Sequence, residues 1–220
     1  MLIAKNRNLE IPLLMAYVLL LFISNVTSDF IVRPYITLHL NNPYLANFIG
    51  TLLTVIFWII LPLLYITYVN RCNPLAYLKL TTNIGKGALW ALAGCLWFAL
   101  TTGYRHFLQG LPFNHLSFDT WLNMVILVGF VEEIPMRGLV FQKLNEFMGF
   151  WQASLLSSFL FVCLHFPYWL SIGKSPLYFL SAGLYIFVFA CILCFVLKRS
   201  RSLWPCIIIH GLNDLLSLIV

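Results

Sequence analysis

The reading of this chain turns on Val128-Gly129-Phe130-Val131-Glu132-Glu133-Ile134-Pro135-Met136-Arg137-Gly138-Leu139. It lies within a largely apolar segment from Trp121 to Phe147, yet it holds two adjacent carboxylates and an arginine. Ionisable groups are costly in hydrocarbon. Where they occur they face a bundle interior or a polar cavity, and they are functional candidates by default. Whether the segment is a membrane span therefore decides both fold and function.

The rest of the chain says that it is. The 220 residues are 61% hydrophobic and only 9% charged, with a mean hydropathy of +0.91, whereas a soluble domain carries about 25% charged residues. Of the seven acids, Glu132, Glu133 and Asp214 fall inside apolar stretches. The net charge of +6 sits mostly in short loops, a membrane pattern. Nucleic-acid binding would need a basic face with exposed aromatics and is not expected. Five of the six cysteines lie in apolar spans. Cys191-Ile192-Leu193-Cys194 matches C-x-x-C, but with no strand or polar loop around it the pair reads as small buried hydrophobes on a helix.

A bilayer core takes about 20 apolar residues per helix. Seven stretches meet or approach that: Ile11–Thr27, Tyr44–Val69, Gly87–Tyr104, Trp121–Phe147, Trp151–Ile172, Leu177–Leu197 and Leu203–Val220. Pro62 is a candidate bend in the second, and Leu75–Leu80 a short interfacial helix. The fold expected is all-α, a polytopic bundle of seven to eight transmembrane helices, with any eighth or re-entrant piece falling in 105–120. The first apolar run is longer than a signal-peptide core and more spans follow, so it reads as a retained helix. Lys5 and Arg7, then Arg71, Lys79 and Lys86, then Lys143, then Lys198, Arg199 and Arg201 mark alternate loops. By the positive-inside rule the N-terminus is cytoplasmic and the protein a multi-pass component of the cell membrane. No repeat or long linker divides it, so 1–220 is taken as one membrane domain, with 1–104 as scaffold helices and 121–214 as the functional part. Helices 1 to 3 and 6 are expected to carry no ionisable group well inside their spans. His106, His115 and Asp119 in the 105–120 loop are expected to be solvated or interfacial.

Helix geometry sorts the polar residues. Neighbours on a helix point about 100° apart, so Glu132 and Glu133 face different ways. Glu133 and Arg137 are i,i+4 and share a face; a buried charge needs a partner, and this is the natural pair. Glu132 is then left to face a polar cavity. The same spacing places Phe161 with His165, and His210 with Asp214. Pro135 withholds an N–H from the carbonyl of Val131, and Gly129 and Gly138 allow close helix approach. A lone pair or a lone histidine in a span is commonly structural. An unpaired glutamate and two histidines on three helices together supply a general base, a proton shuttle and an electrophilic stabiliser.

In order and spacing, E-E-x-x-x-R at Glu132–Arg137, F-x-x-x-H at Phe161–His165 and H-x-x-x-D at His210–Asp214 resemble the three motifs of the CPBP family, the CAAX-protease and bacteriocin-processing group also called Abi. The resemblance spans Trp121 to Asp214; the N-terminal half is similar only as apolar spans. It implies an intramembrane glutamate endopeptidase, in which Glu132 activates water, His165 helps hold it, His210 and Asp214 stabilise the oxyanion, and Glu133, Arg137 and Phe161 support the site. The CAAX-protease branch often has asparagine where this chain has Asp214. An ionised carboxylate cannot donate a hydrogen bond, so Asp214 is expected either to carry a proton or to orient His210.

Zinc is the mechanistic rival, since Glu132, His165 and His210 would suffice as ligands with a water. However, H-E-x-x-H is absent, and the resemblance implies a metal-free site with no cofactor. The expected partners are the lipid bilayer and a peptide or membrane-protein substrate. A bacteriocin or its receptor is a further candidate, because many bacterial members of the family look like immunity proteins, and such protection would work by proteolysis or by binding alone. A proton-coupled transporter ranks lowest, since no repeat symmetry or paired broken helices are visible.

Overall fold

A computed structural model of the chain describes residues 7–39, 43–110 and 114–219. They form helices throughout, with no strand among the described residues. In chain order the helical segments are α1 (7–39), α2 (43–69), the short α3 (Pro74–Tyr77), α4 (84–108), α5 (118–147), α6 (Phe150–Ser171), α7 (Pro176–Ser200) and α8 (Trp204–Ile219). Asn73 caps α3, its side chain accepting from the amides of Leu75 and Ala76, and Ser175 caps α7 by accepting from Tyr178.

The protein is therefore a multi-pass helical bundle, as its composition requires. Among the described residues, five segments are long and apolar enough to cross a membrane: Leu9–Ile36, Ile49–Val69, Ile84–Leu108, Phe150–Ser171 and Pro176–Ser200. Seven had been expected. The other two, α5 and α8, carry the carboxylates, the arginine and His210, and α8 is also short. Both are largely interior: every residue of the Ile134–Phe141 stretch of α5 is buried, as are most of Pro205–Gly211 of α8. This stretch of α5 is π-helical, and the wider winding begins beside Pro135, whose missing N–H breaks the α-helical ladder there.

Several expectations need correction. The first helix does not stop at Thr27 but runs on to His39, carrying Asp29 and Arg33 into the span. They form an i,i+4 pair at 3.2 Å, which neutralises the aspartate locally. The scaffold also holds a buried charge at its other end, where Glu10 meets Lys143 of α5 at 2.6 Å. His106, expected at a surface, is buried in the last turns of α4. His115 is exposed, and the side chain of Asp119 lies outside the described residues. Among the described residues of 105–120 no further span forms; they extend α4 to Leu108 and start α5 at Phe118. The interfacial helix is shorter than expected, Pro74–Tyr77. Cys191 and Cys194 are unlinked and face α6, with Cys191 Sγ 3.3 Å from Ser158 Oγ and Cys194 Sγ 3.7 Å from Ser157 Oγ, so they pack as the small residues they were taken for.

Close backbone approach fixes α5 against α8. A β-carbon on Gly211 would lie 2.4 Å from the carbonyl oxygen of Val125, and one on Gly129 would lie 2.7 Å from that of Ile207. Small residues at such crossings let helices touch backbone to backbone. Gly94 of α4 makes room for the side chain of Ile209. The outer helices are tied by side-chain hydrogen bonds to backbone carbonyls, Tyr17 of α1 to Phe57 of α2 at 3.2 Å and Asn25 of α1 to Leu164 of α6 at 2.9 Å.

Candidate active site

Glu133 is the anchor of the polar cluster. It is fully buried, and one of its oxygens, Oε1, takes two partners: Arg137 Nη1 at 2.9 Å and His210 Nδ1 at 2.6 Å. The Glu133–Arg137 pair is the one that helical spacing called for. The contact to His210 crosses from α5 to α8 and was not foreseen. An ionised carboxylate only accepts hydrogen bonds, so Nδ1 of His210 carries a proton and donates it to Glu133. The carboxylate at hydrogen-bond distance from His210 is thus Glu133, on the Nδ1 side.

His210 Nε2 faces the other two acids. Glu132 Oε2 is 3.7 Å away and Asp214 Oδ2 is 3.6 Å away. Both distances exceed hydrogen-bond length and leave the three groups around a common point. The side chains of Glu132 and Asp214 are 22% and 25% exposed, against 0% for Glu133. As expected from their angular separation, one glutamate is locked inside and the other is reachable.

Aromatic rings set the remaining geometry. The guanidinium carbon of Arg137 sits 4.3 Å from the centroid of the Phe161 ring, a cation–π contact that gives the buried charge a second support besides Glu133. The same ring meets His165 and His210 edge-on, at centroid distances of 4.8 and 6.2 Å. Phe161 of the F-x-x-x-H motif thus bridges Arg137, His165 and His210. His165 donates from Nδ1 to the carbonyl of Phe161 at 2.9 Å; a carbonyl can only accept, so Nε2 is left as its acceptor nitrogen. Phe189 of α7 packs on the other edge of His210 at 5.5 Å.

Two contributors had no sequence signal. Tyr185 of α7 donates its hydroxyl to Asn213 Oδ1, and Asn213 Nδ2 lies 3.4 Å from Asp214 Oδ1. Tyr185 stacks on Phe189 with an interplanar angle of 2°, so α7 steadies both ends of the His210–Asp214 turn. Nothing in the local pattern around Tyr185 distinguishes it from other membrane-interface tyrosines. Among the described residues, no three His, Cys, Asp or Glu side chains are grouped so as to hold a metal ion.

Glutamates of unequal access on one interior helix, a histidine clamped by the buried one, and a second histidine on a neighbouring helix define a membrane-embedded acid–base site. Residues 114–216 match the family model described as type II CAAX prenyl endopeptidase Rce1-like. That stretch contains all three motifs, and over it the chain is similar to a family of CAAX-type prenyl endopeptidases. No curated protein and no solved structure matches the chain.

Proposed function

We propose that the chain is a metal-independent glutamate endopeptidase that cleaves a peptide or a membrane-associated protein within the bundle, with Glu132 as general base. The observation carrying this is the division of the two glutamates: Glu133 is consumed by Arg137 and His210, while Glu132 stays partly accessible beside His210 Nε2. Glu132 removes a proton from water as the water oxygen bonds to the scissile carbonyl carbon. His165, with Nε2 unengaged by its own backbone bond, accepts the second hydrogen bond of that water. The carbonyl oxygen becomes an oxyanion facing His210. With Nδ1–H on Glu133, a proton on Nε2 is directed at that oxyanion, and Asp214 balances the resulting imidazolium from 3.6 Å. Glu132 then passes its proton to the leaving amide nitrogen as the carbon–nitrogen bond breaks, giving a carboxylic acid and an amine, which exchange a proton to leave a carboxylate and an ammonium.

General-base removal costs about 10²–10⁴-fold in rate. Glu132→Gln should lose that much cleavage while keeping the wild-type melting profile. Wild-type turnover by this variant, purified in lipid, would overturn the assignment. The setting we propose is the cell membrane, with the N-terminus cytoplasmic and the basic loop ends inside. The biological role we propose is bacteriocin processing or self-immunity. A sensitive strain expressing the wild-type chain should survive where one expressing Glu132→Gln dies; equal survival would point to protection by binding alone.

A further inference from the structure

At the end of the bundle where α3, α5 and α7 finish and α4, α6 and α8 begin, an open cavity of about 970 Å³ is lined by Lys79, Lys86, Lys198, Arg199 and Arg201. One acid, Glu146, faces these five cations from the wall, and it is already engaged by Lys143 Nζ at 3.0 Å and by the hydroxyl of Tyr77 at 2.9 Å. The cavity has no part in the acid–base site: Glu146 and Glu132 are 14 residues apart on α5, about 20 Å along a helix.

The rim is built rather than incidental. Lys79, Asn83 and Arg201 all adopt left-handed backbone conformations, with φ of 57°, 50° and 56°. A residue other than glycine, Arg71 outside the cavity included, holds such a conformation where its surroundings enforce it, as at Arg201, the C-cap of α7. Here the enforcement is visible. Leu203 N donates to Lys79 O at 3.2 Å, Thr82 Oγ1 to Arg201 O at 3.1 Å and Trp204 Nε1 to Leu80 O at 2.8 Å, lacing the loop after α3 to the loop before α8. The lacing holds like charges together. Burial, and after it the positive charge of Arg201, pushes the Lys79 ammonium below its ordinary pKa. An anion in the cavity would relieve that crowding.

The walls also carry apolar rings, two half-buried and one exposed. Lys198 Nζ lies 3.9 Å from the centroid of Phe150 and the Arg199 guanidinium 5.1 Å from that of Phe195, while Trp151 beside them is 70% exposed. Trp at a helix start is at home at headgroup depth, and basic pockets between transmembrane helices take lipid phosphates.

We propose that this cavity binds the phosphate headgroup of an anionic glycerophospholipid, with the Lys and Arg side chains on the phosphate and the aromatic rim against the glycerol and upper acyl carbons. The binding is independent of the peptidase reading.

The test uses the full chain in neutral detergent, titrated with phosphatidylglycerol, with phosphatidylcholine of the same acyl chains, and with inorganic phosphate. Bound lipid is counted by native mass spectrometry and the melting temperature followed in parallel. Phosphatidylglycerol should bind and raise the melting temperature, and phosphatidylcholine should do neither. Lys86→Gln/Lys198→Gln/Arg199→Gln, all on exposed side chains, should weaken phosphatidylglycerol binding roughly a hundredfold, and Lys86→Gln alone roughly fivefold. Lys174→Gln, at the other end of α7, should leave it unchanged. Should the triple variant melt early without lipid, the single Lys86→Gln comparison decides. Equal binding of the two lipids, undiminished binding by Lys86→Gln and the triple variant, or inorganic phosphate reproducing the shift would each overturn the proposal, the last by assigning the cavity to a soluble phosphate.

Discussion

Adding one methyl group at Gly211 should disable the enzyme without touching a polar residue. The new β-carbon would be 2.4 Å from the carbonyl oxygen of Val125, and ordinary contact begins at 3.4 Å. Both partners are backbone, so no side chain can yield, and α8 must move away from α5 by about 1 Å at that crossing. His210 is the preceding residue, and its 2.6 Å bond to Glu133 spans the same gap. A 1 Å displacement would stretch that bond past 3.5 Å and release the imidazole. Misplacement of this size costs on the order of 10²-fold in rate, and overpacking costs about 1–3 kcal/mol in stability. Gly129→Ala, at 2.7 Å from Ile207 O, should act in the same direction and more mildly. Gly50→Ala and Gly85→Ala, with nothing within 4 Å, serve as controls for helix content. The assay is cleavage of a quenched reporter peptide by protein in nanodiscs, paired with thermal unfolding. ¹⁵N spectra of His210 report the loss of its Nδ1–H bond. If Gly211→Ala kept wild-type turnover and wild-type melting, the backbone contact between α5 and α8 would not be what positions His210.

The buried charges give further expectations. Glu133→Gln strips Arg137 of its anion and His210 of its acceptor, so it should lose about 3–5 kcal/mol of stability as well as activity, whereas Glu132→Gln should lose activity alone; melting curves of the two separate the roles. Lys143→Met removes the cation 2.6 Å from the buried Glu10 and should destabilise by about the same 3–5 kcal/mol; Glu10→Gln/Lys143→Met should recover part of that loss by chemical unfolding. Lys79 has its pKa lowered in the folded state by burial and by Arg201, so the unfolded chain binds its proton more readily. Stability should therefore rise with pH between the lowered folded value and the ordinary lysine value, and Lys79→Met should flatten that rise.

Helix placement was legible because hydropathy runs are local: six of the seven expected spans agree with their helices to within a few residues, apart from an extension of α4 to Leu108. The first helix misled because Ser28-Asp29 reads as a loop, and only the pairing of Asp29 with Arg33 one turn on lets the helix continue. The same distinction governs the site. Glu133–Arg137 lies within one helix and follows from i,i+4 spacing. The bond from Glu133 to His210 links residues 77 apart in sequence, and Glu10 to Lys143 links the first helix to the fifth. Such contacts depend on how helices cross, which periodicity does not encode. His106 carried no signal either, since a histidine beside exposed loop residues looks alike whether or not its helix end turns inward. The Tyr185–Asn213 contact was similarly silent in the pattern.

The way the site survives in a bilayer follows from where its polarity is concentrated. The long outer helices, α2 and α7 above all, are the most apolar, and they leave α5 and α8 free to be polar because the two are mostly covered. Coverage alone would leave three carboxylates facing one arginine. The cluster is workable because its members are unequal. Glu133 is shut away, its Oε1 ion-paired to Arg137 and hydrogen-bonded to His210 while Oε2 is buried with no hydrogen-bond partner, and Arg137 in turn rests on Phe161. That inner group fixes the imidazole away from solvent. Glu132 and Asp214 stand outside it with about a quarter of their side-chain surface open, where water and a peptide can reach them. A buried charge tolerates hydrocarbon when it is paired, and the general base proposed above has to be incompletely partnered to act. Placing the two kinds on adjacent residues of one helix, about 100° apart, meets both requirements, and the glycine contacts between α5 and α8 hold His210 between them.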